Sequence, residues 1–179
     1  MKKNNKILIK FINYLTTFLV FLGILIISYP MVSRMYYYNV SQKNIDEFKE
    51  GVKKITSEEI LQRMSLAKSY NDSLSNINVE DPYMRKKHEE GKNEYARMLE
   101  VQEKIGYIQI PSLDLSLPIY AGTSESVLQK GVGHMEGTSL PIGGESTHCI
   151  LTAHTGLNTA RMFTDIDKLK KGDIFLIEN

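Results

Sequence analysis

The spacing of hydrophobic positions changes character several times along the 179 residues of this chain. From Phe11 to Tyr29 the stretch "FINYLTTFLVFLGILIISY" carries no charge over 19 residues, about the length an α-helix needs to cross a hydrocarbon core. From Ser33 to Ile55 apolar residues return at helical spacing in a polar background, predicting a second helical stretch. Thr56 and Glu59 in "TSEE" then form a capping-box pattern. A further helix is expected there, with Ile60, Met64 and Ala67 on one face, ending in the turn-rich "NDSLSNIN".

In "VEDPYM" the helical pattern breaks. Proline biases the residue before it away from helix, so Asp81 reads as extended and Pro82 as a fixed bend that presents Tyr83. The same residues also read as a helix start, with Asp81 as N-cap, Pro82 at the first helical position and "MRKKHEEGKNEYARMLEV" as the helix. After Val101 the period becomes two. In "LDLSLPI", Leu113, Leu115, Leu117 and Ile119 alternate with Asp114, Ser116 and Pro118, as in a strand with one buried face. "IGYIQI" predicts the strand before it, with Pro111 and Ser112 turning between them. "SESVLQK" reads as a short helix and "GVGHMEGTSLPIGGEST" as an irregular loop. "CILT" predicts a buried strand, "TARMFTDIDKL" a helical turn and "DIFLI" a last strand. Helices followed by strands imply a membrane-anchored β-domain with an N-terminal helical arm. No internal repeat or low-complexity tract interrupts this order.

Charge orients the anchor. Lys2, Lys3, Lys6 and Lys10 precede the apolar run, so the positive-inside tendency places them in the cytoplasm and everything after Tyr29 outside. A cleaved signal peptide is disfavoured because "SYPMVS" lacks a small-x-small cleavage pattern. Elsewhere composition mainly excludes. The net charge is +1, from 22 basic and 21 acidic residues, and no segment concentrates cations with interleaved aromatics, so nucleic acid is not an expected partner. The single cysteine forms no internal disulfide and leaves the redox compartment undetermined.

Candidate chemistry centres on "HCILTAHTGL". On a strand, His148, Ile150, Thr152 and His154 face one way and Cys149, Leu151 and Ala153 the other. At about 3.3 Å per residue, Cys149 and His154 lie roughly 16 Å apart, whereas a nucleophile and its base must approach within about 3 Å. Cys149 therefore reads as a small buried cysteine and not as the partner of His154. His134, Glu136, His148 and His154 are metal-ligand types. Yet His148 and His154 would sit roughly 20 Å apart on one strand, too far to share an ion held at about 2.1 Å. Neither a metal nor any other cofactor is expected.

The stretch "IGYIQIPSLDLSLPIYAGTSESVLQKGVGHMEGTSLPIGGESTHCILTAHTGL…ARMFTDIDKLKKGD" resembles the class C, pilin-polymerising sortases. "GVGHMEGTSLPIGG", "TAHTGL" and "FTDIDKLKKGD" fall in the family's order and spacing, and "DPY" stands where that family carries its lid motif. The resemblance implies a β-barrel on the outer face of a Gram-positive membrane. It implies His154 as the catalytic histidine and Asp81, Pro82 and Tyr83 as a lid. It also implies cysteine transpeptidation: cleavage of LPXTG-type sorting signals and joining of pilin subunits through lysine isopeptide bonds. The pilins and the membrane would be the partners.

The family's cysteine and arginine follow its histidine, so neither Cys149 nor Arg161 matches them. The expected fold is therefore mainly β: an incomplete sortase-type barrel preceded by a transmembrane helix and a helical arm with lid. The expected divisions are residues 1–30, tail and single membrane span; 31–103, arm and lid; and 104–179, the first part of the barrel. The chain reads as the N-terminal portion of such an enzyme, truncated before the nucleophile and inactive as written. The alternative is a non-catalytic membrane-anchored remnant or binding module.

Overall fold

The computed structural model describes residues 2–74 and 81–179. Ser75–Asn78 of the expected turn and Val79–Glu80 before the proline lie outside the described residues.

The two helical stretches expected on either side of Pro30 are one helix, α1, Lys2–Val52. Proline in a helix interior removes one backbone hydrogen bond, but the helix runs through it. At 1.5 Å per residue, its 51 residues extend about 75 Å. The large apolar residues from Ile9 to Val32 are exposed, and the helix is long and apolar enough to cross a membrane. Further along, Ser41 and Ile45 are buried, and the Phe48 ring meets that of Tyr107 edge-on at 6.3 Å. This i, i+4, i+7 spacing puts the packed residues on one face of the helix.

Helix α2, Ser57–Ser73, starts as its cap predicts: the Thr56 hydroxyl accepts from the Glu59 amide at 3.2 Å. The other half of the capping box is absent, because the Glu59 carboxylate turns to Arg63 at 2.9 Å. Of the predicted face, Ala67 packs inward, while Ile60 and Met64 remain exposed. Helix α3, Pro82–Val101, begins at Asp81, whose carboxylate accepts from the Tyr83 amide. It ends at Gln102 in the left-handed region, with the Glu103 amide closing onto the Met98 carbonyl. Gly91 makes the close approach of the two helices possible, since a Cβ there would stand 2.4 Å from the Tyr70 backbone nitrogen.

The sheet contains β1 (Lys104–Ile110), β2 (Leu115–Ala121), β3 (Val132–His134), β4 (Leu151–Thr152) and β5 (Leu176–Glu178). Their order is β4-β3-β2-β1-β5, with β2 and β3 parallel and every other neighbouring pair antiparallel. The sheet does not close. A short helix α4, Glu125–Leu128, connects β2 to β3. The three long helices hold more residues than the strands, so the β-rich part is the segment from Lys104 onward.

One sheet face forms the main core, where Ile108, Leu117, Ile119 and Val132 meet Ala160, Met162 and Phe163. At the end of β2, Ala121 joins Tyr70 and Tyr95 of the arm and Leu140 in a second cluster. Helix α1 packs on β1 and β2 as well, with Phe48 against Tyr107, the strand partner of Pro118, and the predicted alternation is departed from twice. Pro118 and Tyr120 are buried along with Leu117 and Ile119, and Leu113 lies in a 3-10 turn before the strand proper. The predicted "CILT" strand also shrinks to two residues. The backbone before it is tied instead to the loop after β3, through Met135 N–H to Ile150 O and Ser139 N–H to His148 O.

Candidate functional site

His154 follows β4 by two residues. Leu151 and Ala153 pack against the main core, and the His154 carbonyl accepts from the Phe163 amide at 3.0 Å. The buried "ARMF" segment thus anchors the histidine's backbone. Its side chain remains 30 % exposed, with Nε2 3.3 Å from Oε1 of Glu125. Glu125 opens α4 and also accepts from Gln129 Nε2 at 3.1 Å. An ionised carboxylate only accepts hydrogen bonds, so in this contact Nε2 is the donor and Glu125 the acceptor.

Sequence reasoning missed Glu125. No local rule pairs a helix-start glutamate with a histidine 29 residues on; only the docking of α4 beside β3 joins them. It also missed the role of His134, which is fully buried. Its Nδ1 stands 2.6 Å from the Tyr95 hydroxyl and its Nε2 2.9 Å from the Ser139 carbonyl. A carbonyl cannot donate, so Nε2 carries the proton and Nδ1 accepts from the phenol. Burial holds the imidazole below its ordinary pKa and raises that of the Tyr95 phenol, so both groups keep the neutral forms this pairing requires.

Cys149 is half-buried, and burial pushes its thiol up to about 11. The strand that would have separated it from His154 is too short to carry the distance argument, but the thiol's environment opposes nucleophilic use on its own. Arg161 donates to Asp165 Oδ2 at 2.7 Å and lies 3.5 Å from the Asp114 carbonyl. Among the described residues, no three histidine, cysteine or acidic side chains are arranged to hold a metal ion.

Asp81 and Pro82 form the first turn of α3, and Tyr83 is 63 % exposed with the Lys87 ammonium 5.0 Å over its ring. His154 lines neither of two clefts beside the helical arm. One, about 290 Å³, lies among Phe48, Ile55, Met64, Met98, Ile105 and Leu140. The other, about 100 Å³, lies between Arg34, Tyr38, Asp114 and Arg161.

Residues 108–179 match the sortase domain family. Over 85 residues the chain is 31 % identical to Sortase D of Bacillus subtilis strain 168, covering 48 % of this chain and 40 % of that protein's length. Among solved structures, sortase C1 of Streptococcus suis superposes with a TM-score of 0.63 at 63 % identity, over 64 % of each chain. Sortase C of Streptococcus pneumoniae, whose structure is described as informing catalysis and pilin substrate specificity, gives 0.62 at 46 % identity, over 76 % of this chain and 67 % of that one.

Proposed function

This chain belongs to the sortase family, with class C sortases as its structural relatives, and from that premise we propose that it serves pilus assembly at the outer face of a Gram-positive membrane. In this reading residues 1–30 are the cytoplasmic tail and single span, 31–103 the arm and lid, and 104–179 the first part of the barrel. The substrates are pilin subunits bearing LPXTG-type sorting signals.

The chemistry is acyl transfer in two balanced steps. A cysteine thiolate attacks the threonine carbonyl, a thioester forms, and the peptide C–N bond breaks with a proton delivered to the departing amine. A lysine amine of the next pilin then attacks the thioester, forming the isopeptide bond and releasing the thiol. His154 handles the proton in both steps, for which imidazole suits neutral pH. Asp81, Pro82 and Tyr83 form the lid.

The observation that carries this reading is the placement of His154: backbone held by Phe163, Nε2 engaged by Glu125, ring partly open to solvent. Arg161 is assigned no part in steadying the oxyanion, because the arginine of the class C sortases follows their cysteine. Cys149 is not assigned as the nucleophile, because its thiol is raised by burial. The second reading is a non-catalytic membrane-anchored remnant or binding module.

The test is pilin polymerisation in cells carrying the gene. His154→Ala abolishes the polymer ladder on a gel and Cys149→Ala leaves it. A ladder that survives His154→Ala, or one lost with Cys149→Ala at normal expression, overturns the assignment. An open reading frame that continues past the Asn179 codon into a strand bearing a second cysteine decides for the enzyme over the module.

A further inference from the structure

The folded part of the chain meets α1 at a defined height. Residues 11–33 contain no charge, and the large apolar side chains from Ile9 to Val32 are exposed. Contact begins at Arg34, whose Nε donates to the Asn158 carbonyl at 3.3 Å. From Tyr29 to Arg34 the helix rises about 7.5 Å. A bilayer's polar layer is roughly 5–8 Å deep on each side of its hydrocarbon core. A helix whose uncharged stretch fills that core therefore holds Asn158 at the depth of the lipid headgroups.

Two further observations agree. Tyr36 and Tyr38 are 63 % and 57 % exposed on α1, and tyrosine collects at the membrane–water interface. The adjoining cleft has an arginine on each wall, Arg34 from α1 and Arg161 from the loop after His154; the Arg161 side chain is 44 % exposed. The height does not slide, because Ile45 and Phe48 are packed against the body and the Lys104 ammonium donates to the Asn44 carbonyl at 2.7 Å.

We propose that the segment from Thr155 to Arg161 rests on the outer leaflet of the bilayer that α1 spans, with Arg34 and Arg161 binding phospholipid phosphate. The inference rests on the reading of α1 as a membrane span. It makes the loop behind His154 a membrane contact rather than a free edge.

The full chain, with Cys149→Ser, is reconstituted into bilayers of phosphatidylcholine with or without phosphatidylglycerol and labelled with a fluorophore at Asn158→Cys. Thr155→Cys serves as a second reporter of the same segment. Gly51→Cys, a position with no neighbour within 4 Å and about 25 Å above Arg34, is the distant control. Lipids spin-labelled at the headgroup should quench the Asn158 and Thr155 probes several-fold more than the Gly51 probe. Adding phosphatidylglycerol should strengthen this, and the Arg34→Gln, Arg161→Gln double variant should remove the gain. Equal quenching at all three positions, in protein that resists alkaline carbonate extraction, overturns the inference while leaving the span intact. Extraction by carbonate overturns the span and the inference together. A gain that survives the double variant overturns the role of the two arginines.

Discussion

The Tyr95 hydroxyl and His134 Nδ1, on α3 and at the end of β3, are joined at 2.6 Å inside the interface between the helical arm and the sheet. Asn71 reinforces the joint by donating to the Leu140 carbonyl and accepting from its amide at 2.7 Å. The arm thus grips the loop that pairs with residues 148–150, the approach to His154. Tyr95→Phe leaves a buried acceptor without its donor, which costs about 1–3 kcal/mol. Urea denaturation of the chain in detergent should show that loss; an unchanged midpoint would mean the imidazole finds another partner.

The same histidine makes stability depend on pH. Burial lowers its folded pKa below the ordinary value of 6.5, so between the two values the unfolded chain binds more protons than the folded one. Its contribution is complete above about pH 6.5 and is lost as pH falls toward the folded pKa. Denaturation curves should weaken on acidification from that point, and His134→Gln should remove that component of the slope while lowering stability at neutral pH. An equal slope in both proteins assigns the acid sensitivity elsewhere.

Two glycines in helices should respond oppositely to alanine. Alanine favours a helix over glycine by about 1 kcal/mol, and at Gly51 nothing stands within 4 Å of the added methyl group. Gly51→Ala should therefore be neutral or stabilising. At Gly91 the methyl would meet Tyr70 N at 2.4 Å and Leu66 O at 2.9 Å, backbone atoms that yield only if α2 moves. Overpacking costs of about 1–3 kcal/mol or more outweigh the propensity gain, so Gly91→Ala should lower the denaturation midpoint. A higher midpoint would show that α2 and α3 separate at little cost.

Cys149 should be slow to alkylate. A thiol raised from 9.0 to about 11 holds roughly a hundredfold less thiolate at neutral pH, and the thiolate is the reactive form. Iodoacetamide should modify the folded chain about a hundredfold more slowly than the urea-unfolded chain. Equal rates would return Cys149 to consideration as a nucleophile.

Local features were legible from sequence where their causes are local. The Thr56 hydroxyl cap, the Asp81 cap and the proline start of α3 need only neighbouring residues and form as read, whereas the Glu59 half of the capping box gives way to Arg63. Alternation in "LDLSLPI" identified β2 but not the burial of Tyr120, because that depends on an arm packing on the second face. The "CILT" strand was overread because its hydrogen-bonding partner, the 135–139 loop, takes up the backbone in irregular fashion. At the candidate site, His154 was singled out through a family likeness. Its contact with Glu125 and the Tyr95–His134 pair span 29 and 39 residues, separations at which no periodicity speaks.

The contact between Glu125 and His154 should matter more to rate than to folding. Both side chains face solvent, at 66 % and 30 % exposure, and exposed ion pairs contribute about 0–1 kcal/mol. Glu125→Gln should therefore move the denaturation midpoint very little. Under the proposed chemistry His154 is the proton-transfer group, so His154→Ala should slow thioester formation by about 10²–10⁴-fold. Glu125 acts through His154, accepting from Nε2 and so orienting the ring. Its loss relaxes the ring's orientation without removing the group that moves the proton. A smaller fall in rate is expected for Glu125→Gln, of up to about tenfold, with KM for a sorting-signal peptide unchanged, since the carboxylate touches no substrate atom in this scheme. Single-turnover kinetics on the product of the gene separate the possibilities. A rise in KM with an unchanged rate constant would make Glu125 a substrate contact. A fall as deep as that of His154→Ala would make it part of the proton-transfer unit itself.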